Sequence, residues 1–222
     1  MIFLDMLRNK YIGVRGPELA ALSKAVLGRP TIDNDLAQAL KPEHVTEWVS
    51  RLRDQKLISE TPCDRPQLDS PCLEVPMTSL MADGEQAMPA PDWRQLVRLW
   101  RSVLVTSAWM RRRNLAEIAE RIAALRSRHE HQAAHADMHA DAMRSAVTSY
   151  MFWRPFALTT HDRCLNDSLA LIHFMASQAL FPHWVIGVKV RPFGAHSWVQ
   201  SGSVVLNDLP ERVRHYEPIL VV

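Results

Sequence analysis

The last quarter of the chain constrains the fold most, because an apolar helix is followed there by three closely spaced strands. In residues 162–174, DRCLNDSLALIHF, apolar side chains recur at steps of three or four, which predicts a helix with one face toward a core. Pro192 and Gly202 interrupt the residues that follow, and strands are expected at 183–191, 195–201 and 203–208. The first strand is expected to turn one face to the core through Trp184, Ile186, Val188 and Val190. These elements predict an α+β fold.

Three reactive side chains lie at the ends of these elements. Asp162 can cap the helix, which places Cys164 in the first turn, where the helix dipole favours a thiolate. His196 opens the second strand and Asp208 ends the third, so the two are expected side by side across an antiparallel ladder. Cysteine catalysis needs a nucleophile, a base that activates it and a group that orients the base. The spacing predicts Cys164, His196 and Asp208 in these roles.

Spacing alone leaves other interpretations of these residues open. A cysteine with apolar neighbours is commonly a small buried hydrophobe instead of a nucleophile. His161, three residues before Cys164, is an alternative base. His173 lies nine residues along the helix from Cys164, which is too far for its side chain to reach the thiol.

A family resemblance favours the catalytic interpretation. The segments CLNDSLAL (164–171), VIGVKVRPFGAHSWV (185–199) and VLND (205–208) resemble the B protein of lasso-peptide gene clusters, a leader peptidase with a transglutaminase-like, papain-type fold. The resemblance covers about residues 92–222 and implies a Cys–His–Asp set at Cys164, His196 and Asp208. The chain departs from the family at Gln200, where relatives commonly have Glu.

The same resemblance implies partners and cofactors. The substrate would be a precursor peptide, and the released core amine would be joined to an acidic side chain by an asparagine-synthetase-like lasso cyclase. ATP would be used by that partner, with no cofactor in this chain.

Residues 1–60 form a separate predicted domain. Two strands are expected to meet at Arg8 and Asn9, followed by helices at 17–28, 33–40 and from Pro42, and by a short strand at 57–59. This order predicts a small winged-helix arrangement. DNA binding is disfavoured, because the third helix mixes acidic with basic residues and offers no basic face. The pattern resembles the PqqD-like precursor-recognition domain, which implies capture of the leader peptide by strand addition.

Residues 61–91 are predicted to be a Pro-rich acidic linker, and 92–222 the peptidase domain. A short edge strand within 72–77 is an alternative for part of the linker. Helices are expected at 92–110, with an apolar face broad enough to be buried, and at 114–128, capped by Asn114. Nine arginines against three acids between Asp92 and Arg128 form a solvated face, or a surface that docks an acidic partner or the acidic linker of this chain.

Composition excludes several classes of protein. A net charge of +2 gives no case for nucleic-acid binding, and the sequence contains neither a long apolar run nor a secretory signal. Three cysteines without a CxxC pair are typical of a reduced, cytoplasmic protein. His131, His135 and His139 have helical spacing for a shared metal, but no general base or further ligand accompanies them, so no metal site is predicted.

These observations predict a cysteine endopeptidase that removes the leader of a lasso-peptide precursor. Two alternatives remain: a thiol acyltransferase that uses the same three residues, and a non-catalytic adaptor that binds leader peptides.

Overall fold

A computed structural model describes residues 2–14, 19, 42–54, 73–81, 92–127, 136–158 and 164–222. The chain divides into two compact units, 1–67 and 68–222, which are described separately below. The division into 1–60, 61–91 and 92–222 stays a prediction, although residues 73–81 belong to the second unit.

The first unit contains the predicted hairpin and the third predicted helix. Strand β1 (Ile2–Asp5) pairs antiparallel with β2 (Lys10–Gly13). The Asp5 carboxylate accepts the backbone N–H groups of Leu7 and Arg8, and Asn9 takes a positive φ of 54° that closes the turn. Helix α1 (Pro42–Asp54) buries Leu52 and half-buries Val45, Trp48 and Val49, as its periodicity predicts. Apart from Leu19, which is helical, the elements predicted at 17–28, 33–40 and 57–59 lie outside the described residues.

Four helices precede the main strands of the second unit. They are α2 (Trp93–Arg112), α3 (Leu115–Ser127), α4 (Ala136–Trp153), which continues into a 3-10 turn at Arg154–Phe156, and α5 (Cys164–Ala176). Asn114 caps α3, because its Oδ1 accepts the Glu117 N–H at 2.9 Å while its amide donates to the Glu117 carboxylate. Helix α5 is the centre of this layer: α2 and α4 pack on it, and Leu169, Leu171, Phe174 and Met175 are buried.

A five-stranded sheet completes the unit, with strand order β3-β6-β5-β4-β7. The strands are β3 (Thr78–Ser79), β4 (His183–Lys189), β5 (Gly194–Ser201), β6 (Val204–Val205) and β7 (Glu217–Val221), and a short helix α6 (Pro210–Val213) precedes β7. Only the β3–β6 pair is parallel. The predicted strands at 183–191 and 195–201 are confirmed, but the strand predicted at 203–208 is reduced to two residues.

Strand β4 is buried on both faces, whereas the sequence pattern of the strand predicts that only one face is buried. Trp184 faces α5, and Val185 joins a second cluster on the opposite side of the sheet with Trp198 and Val205. Val190, predicted in the core, is exposed because the strand ends at Lys189. Strand β4 is therefore an interior strand of the sheet, with β5 on one side and β7 on the other.

Residues 73–81, called the strap below, run along the β6 edge within the segment predicted to be a linker. The Met77 and Leu80 N–H groups donate to the carbonyls of Ser203 and Val205 at 2.8 and 3.1 Å. Gln200, fully buried on β5, donates its amide to the carbonyls of Glu74 at 2.7 Å and Gly202 at 2.8 Å. The strap is therefore part of the sheet domain, and the Gln200 amide holds it there.

We expect Gln200→Glu to lower the free energy of unfolding by about 1–3 kcal/mol at neutral pH, because a carboxylate would face two carbonyl oxygens in place of a donor. Burial among acceptors would raise the pKa of Glu in the folded state, so the loss would shrink as the pH falls and the carboxyl group becomes a donor. Urea unfolding at several pH values measures this. Gln178→Glu is the matched control, since the Gln178 amide makes only a 3.5 Å contact; equal losses in both variants would contradict the expectation.

Candidate active site

Cys164 is the first residue of α5, and its half-buried thiol meets several hydrogen-bond donors. Burial raises the pKa of this thiol, but hydrogen bonds from the His196 side chain and from the backbone N–H groups of Ser197 and Leu165 outweigh it, and the pKa lies below its usual value. The Leu165 donor exists because the first N–H groups of a helix have no intrahelical partner. The site therefore favours the thiolate, the nucleophilic form of cysteine.

His196 lies between the thiol and a carboxylate. Its Nε2 is 2.5 Å from Asp208 Oδ2, which leaves Nδ1 as the ring nitrogen for the hydrogen bond with Cys164. Burial lowers the pKa of His196, but the hydrogen bonds and charges of Asp208 and Cys164 raise it to about 9. Trp198 stacks parallel to the imidazole and Tyr216 lies against it at a tilt, with centroids at 6.2 and 5.2 Å. The contacts of the imidazole with Asp208 and Cys164 thus favour its cationic form.

Asp208 reaches His196 from a bend, and not from the strand end where the spacing places it. The ladder between β5 and β6 stops because the Asn207 side chain, through Oδ1, accepts the Val199 N–H at 2.8 Å. The Asp208 carboxylate accepts the Leu209 N–H at 2.8 Å, and its carbonyl accepts the Ser79 hydroxyl of the strap at 2.6 Å. Burial raises the pKa of the Asp208 carboxyl group, but the hydrogen bonds with His196 and with the Leu209 N–H, and the charge of His196, lower it below its usual value.

A cluster of two serines and a tryptophan joins α5 to the sheet beside the reactive residues. The hydroxyls of Ser168 and Ser197 lie 2.7 Å apart, and the Trp184 indole N–H points at both. Ser197 also donates to the Val185 carbonyl at 3.0 Å. Because Ser168 is one turn after Cys164 and Ser197 follows His196, this buried cluster fixes the position of Cys164 relative to His196.

A second buried network starts at Asp167, three residues after Cys164. Its Oδ1 accepts the Tyr150 hydroxyl at 2.9 Å and lies 2.9 Å from Arg154 Nε, while its Oδ2 accepts the Asn207 amide at 3.3 Å. Burial raises the pKa of Asp167 despite these partners. Asn207 thus links the helix that carries Cys164 to the bend that carries Asp208.

Of the alternative residues, only His173 is described, and it does not join this group. His161 lies outside the described residues, as do the side chains of the His129–His139 run. His173 is half-buried against the Trp109 ring, with 4.4 Å between the ring centroids, and burial lowers its pKa to about 4. Within the described residues, no three His, Cys, Asp or Glu side chains are grouped to hold a metal ion.

Comparison with known proteins agrees with this architecture. Residues 102–221, more than half of the chain, match the transglutaminase-like superfamily. The chain belongs to this superfamily. The transglutaminase-like match spans α2 to β7 and contains Cys164, His196 and Asp208.

A curated protein also matches this transglutaminase-like chain. Over 47 residues it is 47% identical to the Microcin J25-processing protein McjB of Escherichia coli, and the match covers 21% of this chain and 23% of that protein. The chain thus spans less than a quarter of that relative's length. No solved structure matches. Within the described residues, none of the helices combines the length and the apolar character that crossing a bilayer requires.

The residues that support the site were not identified from the sequence. Asp167 and Ser168 are polar residues inside the buried stretch of α5, and a buried polar residue needs a partner. That signal could have singled them out, but their partners Tyr150, Ser197 and Asn207 lie 17 to 40 residues away and emerge only from the fold.

We expect the Cys164 thiol to be alkylated by iodoacetamide at pH values well below those at which an ordinary thiol reacts, because His196 stabilises the thiolate. Asp208→Asn should shift the rate profile to higher pH, since the imidazolium loses its carboxylate. Mass spectrometry of the peptide that contains Cys164 measures the rate separately from Cys63 and Cys72. Coinciding wild-type and Asp208→Asn profiles would contradict the expectation.

We expect Asn207→Ala to cost about 1–3 kcal/mol of stability, because the Val199 N–H and the Asp167 carboxylate each lose a buried partner. The variant should also alkylate more slowly at neutral pH, since Asp208 is the next residue. Asn166→Ala is the matched control: within the described structure, the half-buried Asn166 side chain makes no hydrogen bond. Equal unfolding free energies and alkylation rates in the two variants would show that Asn207 has no special role.

Proposed function

We propose that this protein is a cysteine endopeptidase that removes the leader from a ribosomally made lasso-peptide precursor. The observation that carries the proposal is the contact of Cys164 with a His196 imidazole that is itself bonded to Asp208. Membership of the transglutaminase-like superfamily supports the reaction class, and the partial match to the Microcin J25-processing protein supports the substrate class.

The contacts support a two-stage reaction. The Cys164 thiolate attacks the carbonyl carbon at the leader–core junction, and the backbone N–H groups of Leu165 and Ser197 lie beside the attacking atom. His196 gives its proton to the departing amine, which becomes the N-terminus of the core. Water then attacks the thioester, His196 takes one proton of the water, and the thiolate is restored as the leader leaves as a carboxylic acid, which loses its proton to solvent.

The first unit is the proposed leader-binding domain. Hairpin β1–β2 is a two-stranded sheet, and within the described residues its outer edges have no further strand. An extended peptide could add to such an edge through main-chain hydrogen bonds. Holding the leader there would raise its effective concentration at Cys164, since both units are on one chain. The winged-helix and PqqD-like assignments belong to this proposal.

The proposed partner is an asparagine-synthetase-like cyclase that consumes the released amine. It would activate an acidic side chain of the core with ATP and close the macrolactam, so neither ATP nor another cofactor is needed in this chain. The proposed reaction requires only a peptide, a thiolate and water, which fits the proposed cytoplasmic location.

A thiol acyltransferase is the second candidate function, favoured by the superfamily itself. The same thioester can be resolved by an amine instead of water, because both are nucleophiles toward an acyl-enzyme. Adding a primary amine to the reaction separates the two: an amide product at the leader's new C-terminus identifies transfer, and a free carboxylate identifies hydrolysis.

We expect the wild-type chain to cut a lasso precursor peptide at one bond, as measured by mass spectrometry with the cyclase and ATP both present and absent. Cys164→Ala should abolish the cut, and His161→Ala should leave it intact. If no form cuts under any condition and the peptide still binds the first unit, the chain is a leader-binding adaptor and the peptidase proposal is wrong.

We expect Asp208→Asn to lower kcat by about 10²–10⁴-fold with a smaller change in KM, because it removes the carboxylate that holds and charges His196 without removing a substrate contact. Steady-state kinetics on the same peptide measure both constants. Glu211→Gln is the matched control, since it removes an exposed carboxylate three residues away. A comparable loss of kcat in the two variants would contradict a specific role for Asp208.

A further inference from the structure

Helix α2 leaves a row of large apolar side chains exposed, although its periodicity predicts a buried face. The exposed fractions are 68% for Trp93, 55% for Val97, 45% for Trp100 and 64% for Leu104. Isolated exposed apolar residues are ordinary, but a continuous row with two tryptophans marks an interaction surface. The side of α2 that contacts the rest of its unit instead buries Leu99, Ser102 and Thr106.

The spacing of this row is that of a helix-packing seam. Its members follow one another at steps of four, three and four residues, which is the alternation of the a and d positions of a heptad. Val97 and Leu104 take a positions, and Trp93 and Trp100 take d positions. A seam of this period packs its side chains between those of a second helix laid along it.

The charges beside the seam specify the partner. Arg94 and Arg101, both exposed, occupy the e positions that flank the row, and α2 contains no acidic residue. Within the part of the chain that the structure describes, no carboxylate pairs with either arginine. Residues at such flanking positions form ion pairs with residues of the facing helix. The residues of a partner helix that lie opposite these arginines are therefore expected to be acidic.

Two other occupants fit less well. In a second copy packed antiparallel, the e positions would face each other and place arginine against arginine. A membrane surface accepts tryptophan and arginine, but it requires a broad apolar face and does not select a spacing of 3.5 residues. Leu96 and Val103, which would widen the face, are half-buried against their own unit.

We propose that the seam formed by Trp93, Val97, Trp100 and Leu104 docks an amphipathic helix of a partner protein, one with apolar residues in heptad register and acidic residues flanking them. This surface is independent of the peptidase chemistry, because it lies on α2 and includes no residue of the candidate active site.

The test uses two synthetic three-heptad peptides with leucine at a and d, one with glutamate and one with lysine at e and g. Like charges keep each peptide from pairing with itself. Fluorescence anisotropy of the labelled peptide is followed as the full chain is added. We expect the glutamate peptide to bind at least about tenfold more tightly than the lysine peptide, and added salt to reduce the difference.

Variants locate the binding. Trp100→Ala should lower the affinity for the glutamate peptide by about tenfold or more. Arg101→Ala should also lower this affinity and make it depend less on salt. Arg112→Ala is the matched control, since it removes an exposed arginine of the same helix outside the seam and should change nothing. All three changes are on exposed side chains, and circular dichroism checks that each variant folds.

Three results would overturn the proposal. The first is that neither peptide binds, or that both bind equally. The second is that the chain sediments as a dimer and Trp100→Ala makes it monomeric, which would make the seam a self-interface. The third is binding to vesicles of anionic phospholipid that Trp100→Ala removes, without preference for the glutamate peptide. None of these experiments measures enzymatic activity, so the proposal about the seam can be tested even if the proposed peptidase function is wrong.

Discussion

The hydrogen bond between His196 Nε2 and Asp208 Oδ2 is the interaction on which the candidate site depends. Burial alone would lower the pKa of His196 and raise that of Cys164, so both would be neutral. The Asp208 carboxylate reverses both effects of burial. It stabilises the imidazolium, which raises the pKa of His196, and the imidazolium stabilises the thiolate, which lowers the pKa of Cys164. A buried charge is tolerated only when it is paired, and here each of the three groups is paired with the next.

The remainder of the second unit keeps these groups in register. The cluster of Ser168, Ser197 and Trp184 fixes α5 on β5, and the link from Asn207 to Asp167 fixes the bend on α5. The strap adds a bond from Ser79 to the Asp208 carbonyl. Polar groups oriented before substrate arrives need no rearrangement during the reaction, which is the property that electrostatic catalysis requires.

Much of this unit could be predicted from the sequence, because long periodic segments determine their own structure. The α5 helix, β4 and β5 follow from such periods, and the catalytic roles of Cys164, His196 and Asp208 stay predictions from the sequence. The bend at Asp208 could not be predicted, since the Asn207 side chain replaces a backbone partner there. The strap, too, depends on bonds to residues more than 120 positions away. In α2 the sequence shows apolar residues on two sides and cannot say which side the fold buries.

The most direct test of the central claim is a titration of the His196 imidazole by nuclear magnetic resonance in the free protein, with its signal assigned by a His196→Gln variant. The account predicts an imidazolium protonated on both nitrogens at pH 7.5 that titrates at about pH 9. It also predicts that Asp208→Asn lowers this value. A neutral ring at pH 7.5 with an ordinary pKa of about 6.5 would contradict the thiolate–imidazolium pair and the chemistry built on it.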